Sequence, residues 1–168
     1  TALAEAEIEY ADDPCTSIFV KFKVANDHGK LSQYADLDKL YFVIWTTTTW
    51  TLPGNLAICV NGTLPYVLAK APNGEVYILA KDLMERVGKT AGIENFEILA
   101  ELSGSEFELM TAKHPLYDRE SVVLLGDHVT LDAGTGCVHT APGYGADDYA
   151  ICRKYDNAGK TDLGVLVT

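Results

Sequence analysis

Alternation of apolar and polar residues with a period of two restricts the fold of this sequence more than any other feature. In the segment 16–24, four apolar side chains share one face of an extended chain, and Lys21 and Lys23 point away from it. This period fits a half-buried β-strand and does not fit an amphipathic helix. The segment 41–45 is continuously apolar, which predicts a strand covered on both faces.

Short apolar segments recur along the chain, and turn-forming residues separate them. Strands are predicted at 16–24, 41–45, 56–60, 66–69, 76–80, 97–102, 122–125 and 136–140, with turns at 26–29, 61–62, 72–74, 103–104 and 132–134. Helices are predicted at 81–89 and 146–155. Many short strands with two helices predict a mainly β fold with minor α structure (α+β), a closed or nearly closed β-barrel with short peripheral helices.

The length of 168 residues suits a single domain, because it leaves no room for two independent cores. No linker, internal repeat or low-complexity segment divides the chain. It starts at Thr1 and ends at Thr168 within a segment of strand character. We therefore expect residues 1–168 to be one domain excised from a larger protein.

The cysteines Cys15, Cys59, Cys137 and Cys152 bear on the cellular compartment. None forms a Cys-x-x-Cys pair and no His-x-x-x-His accompanies them, so no zinc site is expected. The chain is too large and too rich in core residues to need disulfides, which favours free thiols and a cytoplasmic protein. No window approaches about 18 uninterrupted apolar residues, so no membrane-spanning helix is expected.

The charge balance narrows the choice of partner. The chain has 13 basic and 24 acidic residues, which gives a formal net charge of −11. A protein that binds nucleic acid nonspecifically is normally basic. Broad phosphate-driven binding is therefore excluded.

The first unusual segment is 45–55, in which four consecutive threonines lie between two tryptophans. Four threonines in a row place hydroxyls on both faces of a strand, and those on the buried face need hydrogen-bond partners. One interpretation is a pocket wall that holds a small polar ligand or a water molecule. The other, which composition alone favours, is a strand end whose hydroxyls cap the turn at Pro53 and Gly54.

The second unusual segment, 134–149, places glycines on both sides of a short strand and then enters a helix. His139 lies near the end of that strand, and Asp147 and Asp148 lie in the first turn of the helix. Singly, a strand histidine is usually structural, and paired acids at a helix start usually cap it or oppose its dipole. A histidine, carboxylates and a hydroxyl cluster together predict a site. The glycines lack the Gly-x-Gly-x-x-Gly spacing of dinucleotide-binding folds.

The segments 45–55 and 134–149 resemble the two signature stretches of the editing domain of isoleucyl-tRNA synthetases, a class I family. The valyl and leucyl relatives share the Gly-Thr-Gly start and the later aspartate, but they usually lack the His-Thr-Ala-Pro-Gly that this chain has at 139–143. The resemblance therefore favours the isoleucyl family. Thr49 and Tyr144 stand where that family commonly has proline and histidine, and we expect loop geometry to differ there.

The resemblance implies a fold, a substrate and roles for particular residues. The family's domain is a β-rich barrel inserted into a catalytic Rossmann fold, and it hydrolyses valine from the tRNA for isoleucine, with valyl-adenylate as a second substrate. Asp148 would pair with the α-ammonium of the aminoacyl group. The threonines Thr46, Thr47 and Thr48 would line the pocket or place the water. Thr47, Thr48 and Asp148 are thereby candidates for catalysis.

Further candidates follow from the same two segments. His139 would be a catalytic general base, or a wall that excludes the larger isoleucine side chain, and the resemblance favours the wall. Asn55 would contact adenosine or shape the loop. Trp45, Trp50 and Gly136 are the other candidates for substrate binding.

The resemblance also implies partners, and no metal or cofactor. The partners are the CCA end of the tRNA for isoleucine carrying valine, valyl-adenylate and the rest of the synthetase; the domain would be a monomer that contacts no membrane. Candidate cations for the RNA end are Lys81, Arg86, Arg119, Arg153 and Lys154. The alternatives are a catalytically silent β-barrel that binds an RNA end or a partner, and the editing domain of a valyl or leucyl relative. A Cys–His hydrolase built on Cys137 and His139 is disfavoured, because no orienting partner is in view.

Overall fold

The fold is taken from a computed structural model that describes residues 9–10, 18–46, 49–132 and 134–164. Within these ranges the strands are β1 Glu9–Tyr10, β2 Ile18–Asn26, β3 Leu40–Thr46, β4 Ala57–Val60, β5 Pro65–Lys70, β6 Val76–Ala80, β7 Glu97–Ser103, β8 Thr111–Lys113, β9 Glu120–Leu125 and β10 Cys137–Thr140. The α-helices are α1 Met84–Ala91 and α2 Ala146–Asn157. Short 3₁₀ helices occupy Leu37–Lys39, Thr49–Gly54, Lys81–Leu83 and Gly104–Phe107.

All these strands belong to one sheet. Its order is β10-β4-β9-β8-β2-β3-β6-β5-β7, and β1 pairs with β2 beside this path. The pairs β3–β6 and β4–β9 are parallel, and the other ladders are antiparallel. A parallel pair requires a crossover connection, so the chain crosses the sheet and brings segments that are distant in sequence side by side.

The sheet is open in the described part of the chain, since no ladder joins β7 to β10. The residues before β10 fold back onto the sheet, where Thr135 Oγ1 donates to the Val43 carbonyl at 2.5 Å and the Ala80 amide donates to the Thr135 carbonyl at 2.7 Å. Gly136 has a φ of 84°, and a Cβ at this position would lie 2.5 Å from the Ala80 Cβ, so only glycine permits the approach. The mainly β fold with two short helices is confirmed, and closure of the barrel stays a prediction.

Most predicted elements are present, and the differences have local causes. Every predicted strand has its counterpart, but β1 and β8 were not predicted, because two and three residues are too few to show an alternating pattern. The predicted turn around Pro53 is a full 3₁₀ segment, Thr49–Gly54, and the proline lies inside it. Among the described residues, no helix is long and apolar enough to span a membrane.

Lys21 corrects the prediction that β2 is only half buried. Its side chain is 3% exposed, and its Nζ lies 2.9 and 2.7 Å from the two carboxylate oxygens of Glu75. The same ammonium lies 4.3 Å from the centre of the Tyr41 ring, and the Tyr77 hydroxyl donates to Glu75. The prediction was wrong here because an ion pair and a ring contact compensate for removing this lysine from water.

The core forms two apolar clusters. The larger one lies between the strands β2, β3, β5 and β6 and includes the rings of Phe22, Phe42 and Tyr66. The smaller one packs α2 against β4 and β9 through Ile151 and Cys152. This packing fixes the position of the first turn of α2 relative to β10.

The predicted free thiols are confirmed for three of the four cysteines. Cys59, Cys137 and Cys152 are buried and unpaired. Cys15 lies outside the described residues. Burial raises the pKa of all three thiols, so they stay protonated and are poor nucleophiles.

Candidate functional site

His139 is the centre of a hydrogen-bonded chain that joins the two unusual sequence segments. It lies on β10, its ring is buried, and each ring nitrogen has a partner from the other segment. Nδ1 lies 2.6 Å from Asn55 Nδ2, and Nε2 lies 2.8 Å from Thr51 Oγ1. Segments separated by more than 80 residues therefore meet at a single imidazole.

Asn55 is fully buried, and its amide is saturated with hydrogen bonds. Nδ2 donates to the Ala57 carbonyl at 3.0 Å and to His139, and Oδ1 accepts from Ser121 Oγ at 2.5 Å. Both amide hydrogens and the oxygen are thus used inside the protein. Asn55 therefore holds the His139 imidazole in position, and neither hydrogen of its amide is available to bind a ligand.

The environment of His139 keeps its ring neutral. Burial, with a smaller contribution from nearby His114, lowers the pKa of His139 to about 4. At neutral pH the ring is uncharged, and its nitrogens are engaged with Asn55 and Thr51. This arrangement suits a fixed wall better than a general base, which works best with a pKa near the operating pH.

Asp148 lies in the first turn of α2, close to the end of β10. Its Oδ2 accepts from the Ala141 amide at 2.9 Å, and Ala141 is two residues beyond His139. Burial raises the pKa of Asp148, while the Ala141 hydrogen bond and His128 oppose this shift. A Cβ on Gly145 would lie 3.1 Å from the Asp148 Cγ, so glycine at the helix start leaves room for the carboxylate.

The 3₁₀ segment Thr49–Gly54 is held by the loop between β8 and β9. His114 Nε2 donates to the Leu52 carbonyl at 2.7 Å, and the Arg119 guanidinium donates to the carbonyls of Pro53 and Asn55. The His114 Nδ1 in turn accepts from backbone amides of the same loop. The carbonyl groups at this turn are therefore satisfied by side chains, which keeps Thr51 and Asn55 in place.

The remaining predicted residues of the first segment are not all brought to His139. Thr46 ends β3 and is buried. Trp45 is half-buried and packs against Gly134, whereas Trp50 is 70% exposed. Thr47 and Thr48 lie outside the described residues.

Two further candidates have internal partners. The Tyr66 hydroxyl donates to the carbonyl of Gly136, and Gly136 lies close to Ala80. Gly136 therefore has a structural role where the chain turns into β10. Cys137 donates from its Sγ to the Ile78 carbonyl at 3.5 Å, so the disfavoured Cys–His hydrolase gains no support.

Three of the five candidate cations have protein partners. Arg119 binds the 3₁₀ segment, Arg86 donates to the Asp132 carbonyl at 2.9 Å, and Lys81 pairs with Glu101 at 2.8 Å. Arg153 lies over the Tyr149 ring, and Lys154 is exposed. In the part of the chain that the structure describes, no group of three or more His, Cys, Asp or Glu residues could hold a metal ion.

Comparison with known proteins shows that the sequence is similar to part of the isoleucine–tRNA ligases. No protein-family model matches it. The isoleucine–tRNA ligase of Caldanaerobacter subterraneus subsp. tengcongensis is 57% identical over 156 residues, which are 92% of this chain and 17% of that protein. The chain is related to one segment of the isoleucine–tRNA ligases. The ligase of Enterococcus faecalis is 55% identical over 156 residues, 93% of this chain and 16% of that protein.

These relatives confirm the resemblance drawn from segments 45–55 and 134–149. The chain spans about one sixth of the length of the isoleucine–tRNA ligases that it matches. Solved structures share its fold at lower identity. The editing domain of P. knowlesi cytosolic leucyl-tRNA synthetase has a TM-score of 0.69 at 15% identity and matches 86% of this chain and 65% of that one. GlLeuRS-CP1 has a TM-score of 0.67 at 24% identity and matches 88% and 61%.

Four residues that shape the candidate site were not predicted as site residues from the sequence. Thr51 lies within the segment 45–55, but the candidates chosen there were the threonines that precede it. Ser121 lies on β9, and His114 and Arg119 lie in the loop between β8 and β9, where no motif marks them. Arg119 was considered only as a cation for RNA. Only the sheet order that places β9 beside β4 could have revealed their contacts.

Proposed function

We propose that this segment of the isoleucine–tRNA ligase family is a proofreading domain that hydrolyses valine from the tRNA for isoleucine. The observation that carries the proposal is the junction at His139, where the segments 45–55 and 134–149 bond directly through Thr51 and Asn55. The names of its relatives and the editing-domain fold of its structural neighbours support the same function.

The need for such a domain follows from the size of the two amino acids. Isoleucine exceeds valine by one methylene, and burying one methylene is worth only about 0.8 kcal/mol. A pocket that accepts isoleucine therefore discriminates weakly against valine. A second, smaller pocket that admits the valyl ester and excludes the isoleucyl ester removes the error.

Asp148 is proposed to anchor the α-ammonium of the aminoacyl group. A charge-assisted hydrogen bond between ammonium and carboxylate is about twice as strong as a neutral one. The Ala141 amide holds one carboxylate oxygen and thereby fixes the direction of the group. Esters that lack an ammonium would bind weakly.

His139 is proposed to be the wall that limits the size of the amino acid. Its pKa of about 4 and its two bonded nitrogens support a neutral, fixed ring rather than a base. Thr46, Thr47 and Thr48 would line the pocket or place the water. A ribose hydroxyl of the tRNA would assist the water.

The substrate end of the RNA is proposed to be the single-stranded CCA terminus. The exposed ring of Trp50 offers a surface on which an unpaired base can stack. Trp45 and Gly136 would shape the pocket behind it, and valyl-adenylate would enter the same pocket. The domain would act as a cytoplasmic monomer within the synthetase, and the rest of that enzyme would hold the tRNA body.

The test measures loss of two esters. The chain, in excess, is incubated with the tRNA for isoleucine carrying either valine or isoleucine, and the remaining ester is followed over time at several protein concentrations. Faster loss of the valyl ester, at a rate that rises with protein concentration, is expected. Equal persistence of both esters at all concentrations would support a catalytically silent RNA-end-binding module instead.

A further inference from the structure

Ser121 lies behind the candidate site and is fully buried. It is on β9, pairs with Ala112 of β8, and donates its hydroxyl to Asn55 Oδ1. Neither the strand pattern nor the family resemblance singles it out. Its hydroxyl is nevertheless the end of the hydrogen-bonded chain that runs through Asn55 and His139 to Thr51.

The two ends of the Asn55 amide are distinguished by their neighbours. The Ala57 carbonyl, 3.0 Å away, can only accept, so the atom facing it must be the amide nitrogen. The other end then presents Oδ1, and Ser121 supplies the donor for it at 2.5 Å. Ala57 and Ser121 are thus the two groups that select this orientation of the amide.

The amide orientation determines which imidazole nitrogen carries the proton. Asn55 Nδ2 donates to His139 Nδ1 at 2.6 Å, so Nδ1 must present a lone pair. The ring proton of neutral His139 is then on Nε2. From there it is donated to Thr51 Oγ1 at 2.8 Å, and the hydroxyl hydrogen of Thr51 is turned away from the ring.

We propose that Ser121 is a positioning residue for ester hydrolysis: its hydroxyl fixes the Asn55 amide, which holds His139 in the Nε2–H tautomer and thereby orients the hydroxyl of Thr51. Ser121 acts only through Asn55 and touches no substrate. The inference rests on the proposed function and deepens it, because it names what keeps the size-limiting imidazole in one form.

Removal of the Ser121 hydroxyl weakens the preference of the Asn55 amide for its observed orientation. In Ser121→Ala the buried Asn55 Oδ1 loses its donor, and leaving a buried acceptor unsatisfied is unfavourable. The opposite amide orientation would place Oδ1 toward His139 Nδ1 and would favour a proton on that nitrogen, and in the variant only the Ala57 carbonyl still opposes it. The variant therefore reduces the free-energy difference between the two tautomers of His139, and it removes no group from the pocket.

The first measurement is the tautomer of His139 in ¹⁵N-labelled protein at neutral pH, read from the nitrogen shifts and ring couplings of the imidazole. The wild type is expected to show a protonated Nε2 and an unprotonated Nδ1. Ser121→Ala is expected to keep Nε2–H as the major tautomer, because the Ala57 carbonyl remains, and to show a detectable fraction of Nδ1–H that the wild type lacks. Ser121→Thr, which keeps a hydroxyl, is expected to restore the wild-type spectrum.

The second measurement is single-turnover hydrolysis of the valyl ester. Ser121→Ala is expected to lower the maximal rate about 10-fold, with the protein concentration at half-maximal rate changed less than about 2-fold. Thr111→Val is the matched control. It removes a buried hydroxyl from the neighbouring strand β8 that has no hydrogen-bond partner among the described residues. It should leave both the tautomer and the rate unchanged.

The outcomes separate this inference from the proposed function. A protonated Nδ1 in the wild type overturns the inference, whatever the variants do. A spectrum of Ser121→Ala without any Nδ1–H fraction overturns it as well, even if the rate falls. Absence of ester hydrolysis by the wild type overturns the proposed function, and the claim that Ser121 orients a catalytic site falls with it.

Discussion

Asp147 and Asp148 are neighbours in the first turn of α2, but the structure gives them different surroundings. Asp148 accepts from the Ala141 amide and is partly buried, whereas Asp147 is exposed. A substitution of Asp148 can therefore be compared with the same substitution of the adjacent Asp147 as its control. A carboxylate that anchors a substrate ammonium should be sensitive to loss of charge at only one of them.

Asp148→Asn is expected to slow hydrolysis of the valyl ester about 100-fold, because a neutral amide forms a weaker bond to the ammonium. The folded state should be as stable as the wild type at pH 7, or more stable. Burial raises the pKa of Asp148, so its ionisation opposes folding above the unfolded pKa, and the asparagine removes this cost. Ester hydrolysis and thermal unfolding are measured for both proteins.

Asp147→Asn serves as the control for charge at the helix start. It should leave the rate of ester hydrolysis unchanged within about 2-fold. Survival of activity in Asp148→Asn, or equal losses in the two variants, would contradict the anchor role.

The stability contributed by His139 should depend on pH in a defined direction. Its pKa is lowered to about 4 in the folded state, so between its ordinary value of 6.5 and about 4 the unfolded chain binds the proton more readily. The stability from a neutral His139 is present above pH 6.5 and is lost as the pH falls toward 4. The loss amounts to about 3 kcal/mol.

His139→Gln lacks this titration. Urea unfolding at pH 7, 5.5 and 4 is expected to show a wild type that is more stable than the variant at pH 7, with the difference shrinking by about 3 kcal/mol at pH 4. Groups that do not interact with His139 contribute equally to both proteins and cancel; His114, which helps to lower the pKa of His139, is the exception. A difference that does not vary with pH would show that His139 is not buried as a neutral ring.

At the scale of elements, the site depends on how the loop between β8 and β9 holds the 3₁₀ segment Thr49–Gly54. Arg119 and His114 donate to three carbonyl groups in and just after that turn, at Leu52, Pro53 and Asn55. Proline cannot donate a backbone hydrogen bond, and short 3₁₀ helices have poor internal geometry. The turn is therefore stabilised mainly from outside.

Arg119→Leu is expected to loosen this turn without unfolding the protein. Amide hydrogen exchange within residues 50–57 should accelerate about 10-fold, since buried carbonyls lose a charged donor, and hydrolysis of the valyl ester should fall with it. Exchange is measured by mass spectrometry on peptides from this region. Arg153→Leu is the control, since Arg153 lies over an exposed tyrosine ring on α2. Unchanged exchange in Arg119→Leu would mean that the turn is rigid by itself.

At the scale of the whole molecule, the net charge of −11 limits how the protein holds RNA. Of the five candidate cations, Arg119, Arg86 and Lys81 have protein partners, which leaves Arg153 and Lys154 for phosphates. When a protein binds single-stranded nucleic acid, the logarithm of its affinity falls linearly with the logarithm of the salt concentration. The slope is about −0.7 for each phosphate contact.

A fluorescent oligonucleotide ending in CCA should therefore bind weakly, with a slope of about −2 or shallower. Binding is measured by anisotropy over a series of salt concentrations. Affinity that persists at high salt through stacking on Trp50 would agree with the proposal. A steep slope would instead reveal a basic surface that the sequence and the described residues do not suggest.

The elements were predictable where the pattern is local. Alternation within 16–24 and the apolar run at 41–45 depend on residues close in sequence, and both segments form strands. Lys21 was misplaced because its partner Glu75 is 54 positions away, and β8 was missed because three residues are too few for a pattern. The strand order that leaves the sheet open over the described residues depends on ladders between distant segments, which no local pattern encodes.

The sequence by itself determined the mainly β fold, the family resemblance and the two segments of the candidate site, because periodicity and motif spacing are properties of neighbouring residues. Only the tertiary structure decided how those segments are joined. Thr51, Asn55 and Ser121 reach His139 or each other across separations of 88, 84 and 66 positions. The order of strands in the sheet brings these residues together. Burial then restricts each buried polar group to the hydrogen-bond partners within its reach.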